Sequence, residues 1–364
     1  MKWSFRIARI AGINVYLHWT FLILLGWVGF STLGTAGRQE GAVAMFLTLV
    51  LLFVFVLMHE FGHALMGRKF GVKTSGITLL PIGGVAAMER MPEKPMQEFL
   101  VAIAGPAVNM VLALIFGMIV LINGQYTFTI HNFFVLGPDL LPNLLSINIA
   151  LFTFNLIPAF PMDGGRMLRA LLSLRFDRAK ATAIAARIGQ FLAIGFVFLG
   201  LFYNIWLIFI GLFIYMGAGA EANYEAAHSV LSRFKVGDAL MRNHTVFDAQ
   251  ATIDEAVKML LNGQEKEFLV QDQGRLIGTL TRDEIIAGLG QFGKEGKIGS
   301  VANPNLLFLS PQMPLEEVFM QMNEQKIEIA PVMEGTQLLG ALNRENIIEI
   351  VMVANATPKT RMPY

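Results

Sequence analysis

Apolar residues run almost unbroken from Ala42 to Met58, then stop abruptly on His59, Glu60 and His63. Similar runs recur through the first part of the chain. They predict helices over about 18–33, 42–66, 99–122, 144–160, 183–201 and 205–218, which read as six membrane spans. Trp19 and Trp27 are available as interfacial anchors of the first. Between the runs the pattern changes. Residues 13–17 alternate like a short interfacial strand. Residues 74–91 are rich in β-branched residues and contain Pro81, Gly83 and Gly84, which predicts a membrane-associated β-hairpin, too short and polar to span. The fourth run ends in Asn155-Leu-Ile-Pro158-Ala-Phe-Pro161-Met-Asp163-Gly164-Gly165. Two prolines three residues apart cannot continue a regular helix, so the chain unwinds here at membrane depth. Irregular backbone at that depth is tolerated where it packs in protein or lines a cavity.

Beyond residue 224 the chain reads as an ordinary soluble domain containing an internal repeat. Val236-Gly237-Asp238-Ala239-Leu240 opens one unit, with helix 253–263, strands 267–271 and 275–280, and helix 282–289. Ile298-Gly299-Ser300-Val301 opens a second, with helix 314–324, strands 327–332 and 338–342, and helix 344–353. The period is about sixty residues, each unit reading β-α-β-β-α. The expected organisation is therefore a membrane domain over 1–224, a linker over 225–235, repeats over 236–295 and 296–356, and a tail over 357–364.

Composition agrees with a membrane protein: 54% of residues are hydrophobic and 15% charged. The formal net charge of +1 gives no electrostatic reason to expect nucleic acid. There is no cysteine, so disulfides are excluded and any zinc ligand must be His or carboxylate. The N-terminus lacks the hydrophobic core and cleavage site of a signal peptide, so the first span is expected to be retained. Basic residues lie before span one (Lys2, Arg6, Arg9) and between spans two and three (Arg68, Lys69, Lys73). A further group, Arg166, Arg169, Arg175, Arg178 and Lys180, lies between spans four and five, whereas the opposite loops carry only Arg38. The positive-inside rule then makes the N-terminus and the repeat domain cytoplasmic. The lack of disulfides and organellar signals leans toward a prokaryotic inner membrane.

The chemistry concentrates where the second run ends. On a helix, His59 and His63 point the same way one turn apart and can close on one metal ion, while Glu60 projects about 100° further round, beside the ion. Ionisable groups inside a span persist mainly where they meet each other, an ion or a water-filled cavity. Spans two and four both run inward, which puts Asp163 at a similar depth. Asp163 is thus a third candidate ligand, or alternatively the N-cap of the basic helix that follows. Gly105-Pro106 followed by Asn109 in the third span is either a packing kink or part of the site. His18 beside Trp19 reads as an interfacial residue rather than a ligand.

Taken together, His59-Glu60-Phe-Gly-His63, Gly105-Pro106 with Asn109, and Asn155-x-x-Pro158-x-x-Pro161-x-Asp163-Gly164 resemble the site-2 protease family of intramembrane metalloproteases. The repeat resembles tandem cystathionine-β-synthase (CBS) domains, as found on one branch of that family. The resemblance covers nearly the whole chain. It implies a zinc endopeptidase cleaving transmembrane protein substrates near the cytoplasmic side, as in regulated intramembrane proteolysis. In that reading His59, His63 and Asp163 bind one zinc ion and Glu60 is general base, then acid. Asn155 positions substrate or stabilises the reaction centre, and Asn109 is an accessory residue. The fold it implies is a polytopic α-helical membrane protein with six transmembrane helices and a β-hairpin, plus a cytoplasmic α/β CBS module.

CBS pairs often bind ATP, ADP or AMP through a Gly-h-h-Thr-x-x-Asp pattern. Gly278-Thr-Leu-Thr281-Arg-Asp-Glu284 follows it with Glu in the last place, making Thr281 and Glu284 the nucleotide candidates. Gly340-Ala-Leu-Asn343-Arg-Glu-Asn346 lacks both the hydroxyl and the acid. At most one nucleotide site is expected, and a structural module or a homodimer contact is the alternative. The rival readings of the whole chain are a CBS-regulated membrane transporter and an inactive metal-binding scaffold. No inverted repeat among the spans favours the first, and the intact motif opposes the second.

Overall fold

The computed structural model describes residues 3–33, 39–81, 83–88, 91–124, 139–263 and 265–356. Lys2, Arg38 and the tail 357–364 lie outside the described residues. Two compact units divide the chain, Met1–Asn223 and Tyr224–Tyr364.

In the first unit, β1 (Ser4–Ile10) and β2 (Ile13–His18) form an antiparallel hairpin around Ala11 and Gly12. β2 leads directly into α1 (Trp19–Leu33), followed by α2 (Gln39–Lys69). β3 (Thr74–Leu80) and β4 (Gly83–Met88) make the hairpin read from the 74–91 stretch, but it does not stand alone. β2 pairs with β3 in parallel, giving a four-stranded sheet of order β1-β2-β3-β4. Sequence pattern did not announce β1, because Phe5, Arg6, Ile7 and Arg9 are all exposed and show no buried face. Its pairing comes from a tight turn and a partner strand rather than from burial. Among the described residues, β4 pairs only with β3, so its other edge is open.

The remaining helices are α3 (Pro95–Ile122), α4 (Leu140–Asn155), α5 (Asp163–Leu172), α6 (Arg178–Phe202) and α7 (Ile205–Leu231). Among the described residues, four stretches are long and apolar enough to cross a membrane: Phe46–Lys69, Pro95–Ile122, Arg178–Phe202 and Ile205–Leu231. α1 has 15 residues and α4 has 16, short of the roughly 20 that a helix needs to span. The fourth helix ends at Asn155 rather than near residue 160, because Pro158 and Pro161 remove backbone donors and the chain turns through 156–162. Leu114, Met118 and Ile122 on α3, and Phe191, Phe198 and Phe202 on α6, project outward and exposed. A surface this apolar needs lipid or protein against it.

In the second unit, a short 3-10 turn at Val236–Ala239 precedes β5 (Val246–Asp248), α8 (Ile253–Asn262), β6 (Glu267–Asp272), β7 (Arg275–Thr281) and α9 (Arg282–Phe292). A second turn at Ile298–Ser300 precedes α10 (Leu315–Gln325), β8 (Ile329–Glu334), β9 (Gln337–Asn343) and α11 (Arg344–Ala356). The first repeat has a three-stranded sheet, β5-β6-β7. The second has only β8-β9, its first strand reduced to one bridge between Leu309 and Val332.

The opening segments are exchanged. Val236 and Ala239, which open the first repeat, lie in the core of the second with Leu315, Val318 and Leu342. Ile298, which opens the second repeat, lies in the core of the first with Ile253, Phe268 and Ile285. Each core is thus completed by the other repeat's leading turn, so residues 295 and 296 do not separate independent cores. Polar bonds join the repeats as well: Asn343 Nδ2 donates to Glu267 Oε2 at 3.2 Å, and Lys266 pairs with Glu345 at 2.7 Å.

Burial holds the half-buried Glu267 carboxyl above its usual range, and the neighbouring Glu345 and Glu328 add to this, against the opposing hydrogen bond from Asn343 and charge of Lys266. A raised carboxyl pKa means the folded state takes up the proton more readily. The contribution is therefore fully present below the ordinary glutamate range and is lost as pH rises through the folded value. Glu267→Gln keeps an acceptor for Asn343 and removes the charge. At neutral pH it should slow hydrogen exchange in β6 and β7 relative to the parent, and the difference should vanish in mild acid. Faster exchange at neutral pH would contradict this reading.

Candidate metal centre

Helix α2 presents His59 and His63 inward on successive turns, as the four-residue spacing requires, and both are buried. Asp163 is the first residue of α5, reached through the unwound stretch after α4. Met162, not Asp163, holds the N-cap position of α5. Asp163 Oδ2 lies 3.1 Å from His59 Nε2 and 3.1 Å from His63 Nε2, and the two nitrogens are 3.0 Å apart. Among the described residues these three form the one cluster of its kind able to hold a metal ion.

Hydrogen bonds on the far side of each ring fix what those nitrogens can do. His63 Nδ1 is 2.7 Å from the carbonyl oxygen of Val101, which can only accept, so Nδ1 carries the proton. His59 Nδ1 is 2.6 Å from Asn109 Oδ1. The amide of Asn109 donates through Nδ2 to Asn148 Oδ1, and Asn148 Nδ2 donates to the carbonyl of Leu144. That chain orients Asn109 with its oxygen toward His59. In both neutral imidazoles the lone pair therefore sits on Nε2, facing the other ring and the carboxylate. With both rings neutral, three lone pairs converge on one point, an arrangement that a cation relieves. Bonds of about 2.0–2.1 Å in a tetrahedron put ligand atoms about 3.3 Å apart, so the donor set and its spacing fit zinc. Arg166 Nη1 lies 4.0 Å from the other carboxylate oxygen of Asp163.

The fit of α2 against α3 depends on two glycines. A Cβ on Gly62 would sit 2.6 Å from the carbonyl oxygen of Ala104. A Cβ on Gly105 would strike Nε2 of both His63 and His59. α3 runs on through Pro106 as one helix, so Gly105 serves to let the imidazoles reach the converging point against the backbone. Asn109 is fully buried in the same helix, in contact with His59.

Glu60 faces a cavity of about 360 Å³ that also exposes His59, Asn155 and the β4 glycines Gly83 and Gly84. Its Oε2 accepts the backbone N–H of Ala86 at 3.2 Å. Asn155 closes α4, and its Nδ2 donates to the carbonyl of Leu151 in the same helix. His18 lies outside the cluster, bonded to Thr20 at 2.7 Å. In the second unit, Thr281 and Glu284 bond each other across the first turn of α9. Glu284 Oε2 accepts from the backbone N–H of Thr281 at 2.7 Å and from its hydroxyl at 3.0 Å. Asn148 and the Val101 carbonyl are the members of the site that motif reading passed over. The signal for Asn148 was an amide inside an apolar run, seven residues before Asn155; a backbone carbonyl leaves no signal at all.

The family model described as Peptidase family M50 matches residues 47–136 and 138–196, and the CBS domain model matches 236–290 and 298–353. The chain is 33% identical over 357 residues to a zinc metalloprotease of Methanocaldococcus jannaschii, covering 97% of each chain. It is 25% identical over 254 residues to the stage IV sporulation protein FB of Bacillus subtilis, covering 65% of this chain and 82% of that one. Among solved structures, a site-2 protease from Methanocaldococcus jannaschii superposes with a TM-score of 0.43 at 39% identity, over 60% of this chain and 95% of that chain. On the family models and the 33% identity over 97% of the chain, the chain belongs to peptidase family M50, the site-2 protease family, in a form that carries a pair of CBS domains.

Proposed function

We propose that the chain is an intramembrane zinc endopeptidase that hydrolyses peptide bonds of transmembrane protein substrates near the cytoplasmic side. One observation carries this reading. Donor atoms of His59, His63 and Asp163, from helices 100 residues apart in sequence, converge at 3.0–3.1 Å next to the cavity that Glu60 faces. In this reading residues 1–224 make six spans, with α1 and α4 extended by β2 and by the 156–162 stretch. The N-terminus and the CBS module are cytoplasmic, and the membrane is a prokaryotic inner membrane.

Zinc held by His59, His63 and Asp163 would polarise the scissile carbonyl and acidify a water molecule. Glu60, facing the cavity, would take a proton from the attacking water and pass it to the leaving nitrogen. Asn155 lines the same cavity, and the amide hydrogen that Leu151 does not take would serve the oxygen that gains charge. Asn109 and Val101 hold the two rings so that Nε2 stays the metal-facing atom.

A substrate helix must unwind before its carbonyl can be attacked, since that oxygen is otherwise bonded within the helix. The open edge of β4 offers replacement partners. Ala86 N–H points away from β3 toward Glu60, and residues two apart on a strand share an edge, so Gly84 and Met88 face the same way. The CBS pair is read as a sensor with one adenine-nucleotide site at Thr281 and Glu284, and as a contact through which the chain forms homodimers.

Glu60→Gln should keep about one zinc per chain and lose cleavage by about 10²–10⁴-fold. Retained cleavage would rule Glu60 out as the proton carrier. Met88→Pro removes an outward N–H without touching the β3–β4 ladder, and should raise KM for a transmembrane substrate more than it lowers kcat. Unchanged kinetics would remove the strand edge from substrate binding. Titration with ATP, ADP and AMP should give saturable binding that Thr281→Ala with Glu284→Ala abolishes. No binding in the parent would leave the module a structural or dimerising role.

A further inference from the structure

The basic stretch after Asp163 hides one residue unlike the rest. Arg169 is 2% exposed, whereas Arg175 and Lys180 face outward. Its Nε donates to Glu98 Oε1 at 2.8 Å and its Nη2 pairs with the same oxygen at 2.5 Å. Nη1 pairs with Glu221 Oε1 at 2.5 Å, and the guanidinium lies 5.2 Å from the centre of the buried Phe160 ring. Glu98 is fully buried and its other oxygen accepts from Arg178 at 2.8 Å. A cluster with two charges of each sign is costly to bury, and it persists where geometry over-determines it.

The partners of Arg169 are placed around the metal centre's own supports. Glu98 is on α3, three residues before Val101 and on the same helix as Asn109, the two groups that orient the histidines. Phe160 lies in the unwound stretch three residues before Asp163. Arg169 is six residues after Asp163 on α5, about 9 Å along the axis and about 120° round it. The guanidinium therefore grips the chain on both sides of Asp163 and ties it to the helix that holds both imidazoles.

We propose that Arg169 is a positioning residue for the metal centre: its fork to Glu98 and Glu221, stacked on Phe160, sets where Asp163 stands relative to His59 and His63. This rests on the zinc reading above. A lysine in its place carries the charge but cannot hold two carboxylates and an aromatic face at once.

The test uses the full chain purified in detergent, with Zn²⁺ affinity measured by chelator competition and the ligand set followed by the visible spectrum of Co²⁺. Arg169→Lys should weaken Zn²⁺ binding by about 10–100-fold, the range for disturbed supports of a metal ligand, and alter the Co²⁺ spectrum. Glu221→Gln should move both in the same direction by less. Val120→Ala, a core change near the far end of the same α3, should lower the unfolding temperature and move neither. If Arg169→Lys does not fold, Glu221→Gln against Val120→Ala decides. Unchanged affinity and spectrum in the variants that fold, with a parent that binds metal, would overturn the inference and leave the zinc reading standing. A parent that binds no metal would overturn both.

Discussion

Two imidazole nitrogens and one carboxylate oxygen, each presenting a lone pair when the rings are neutral, are held within 3.1 Å of one another in a buried site. Such a convergence is repulsive unless a cation sits in it, and much of the first unit is arranged to impose it. Val101 and Asn109 take up the Nδ1 protons, so neither ring can turn its protonated side inward. Gly105 removes the Cβ that would occupy the converging point. The unwound 156–162 stretch then delivers Asp163 to a place that a continuous helix from α4 would not reach.

The same constraint explains the company the site keeps. Glu60 follows His59 directly, so anchoring the two histidines aims Glu60 into the adjoining cavity. There it meets the N–H of Ala86 on the free edge of β4. A carboxylate, a cavity of about 360 Å³ and an edge of β4 that pairs with no other strand among the described residues thus lie together. The proposed hydrolysis of an unwound segment would use all three.

Much of this was legible in the sequence because it depends on local spacing. The i, i+4 histidines, the proline-interrupted run and the period of the second unit follow from helix and strand geometry alone. What the sequence hid depends on partners distant in the chain. β1 has no buried face to reveal it. The exchanged opening turns of the two repeats leave no periodic trace. Asn148 reads as a stray amide until Asn109 lies against it. Arg169 reads as one more cytoplasmic charge in a basic run, whereas burial beside Glu98 makes it part of the interior. In sequence the Gly105-Pro106 pair reads as a kink or part of the site; the geometry makes Gly105 a clearance for the imidazoles.

The most direct test of the account is the metal content of the detergent-purified chain beside His59→Ala and Asp163→Ala. The account predicts about one zinc per chain in the parent and a marked loss in both variants, since each removes one of three ligands. Zinc retained in full by Asp163→Ala, with His59→Ala depleted, would mean that the two distant segments do not share an ion. A parent free of zinc and unable to take it up would contradict the account at its centre.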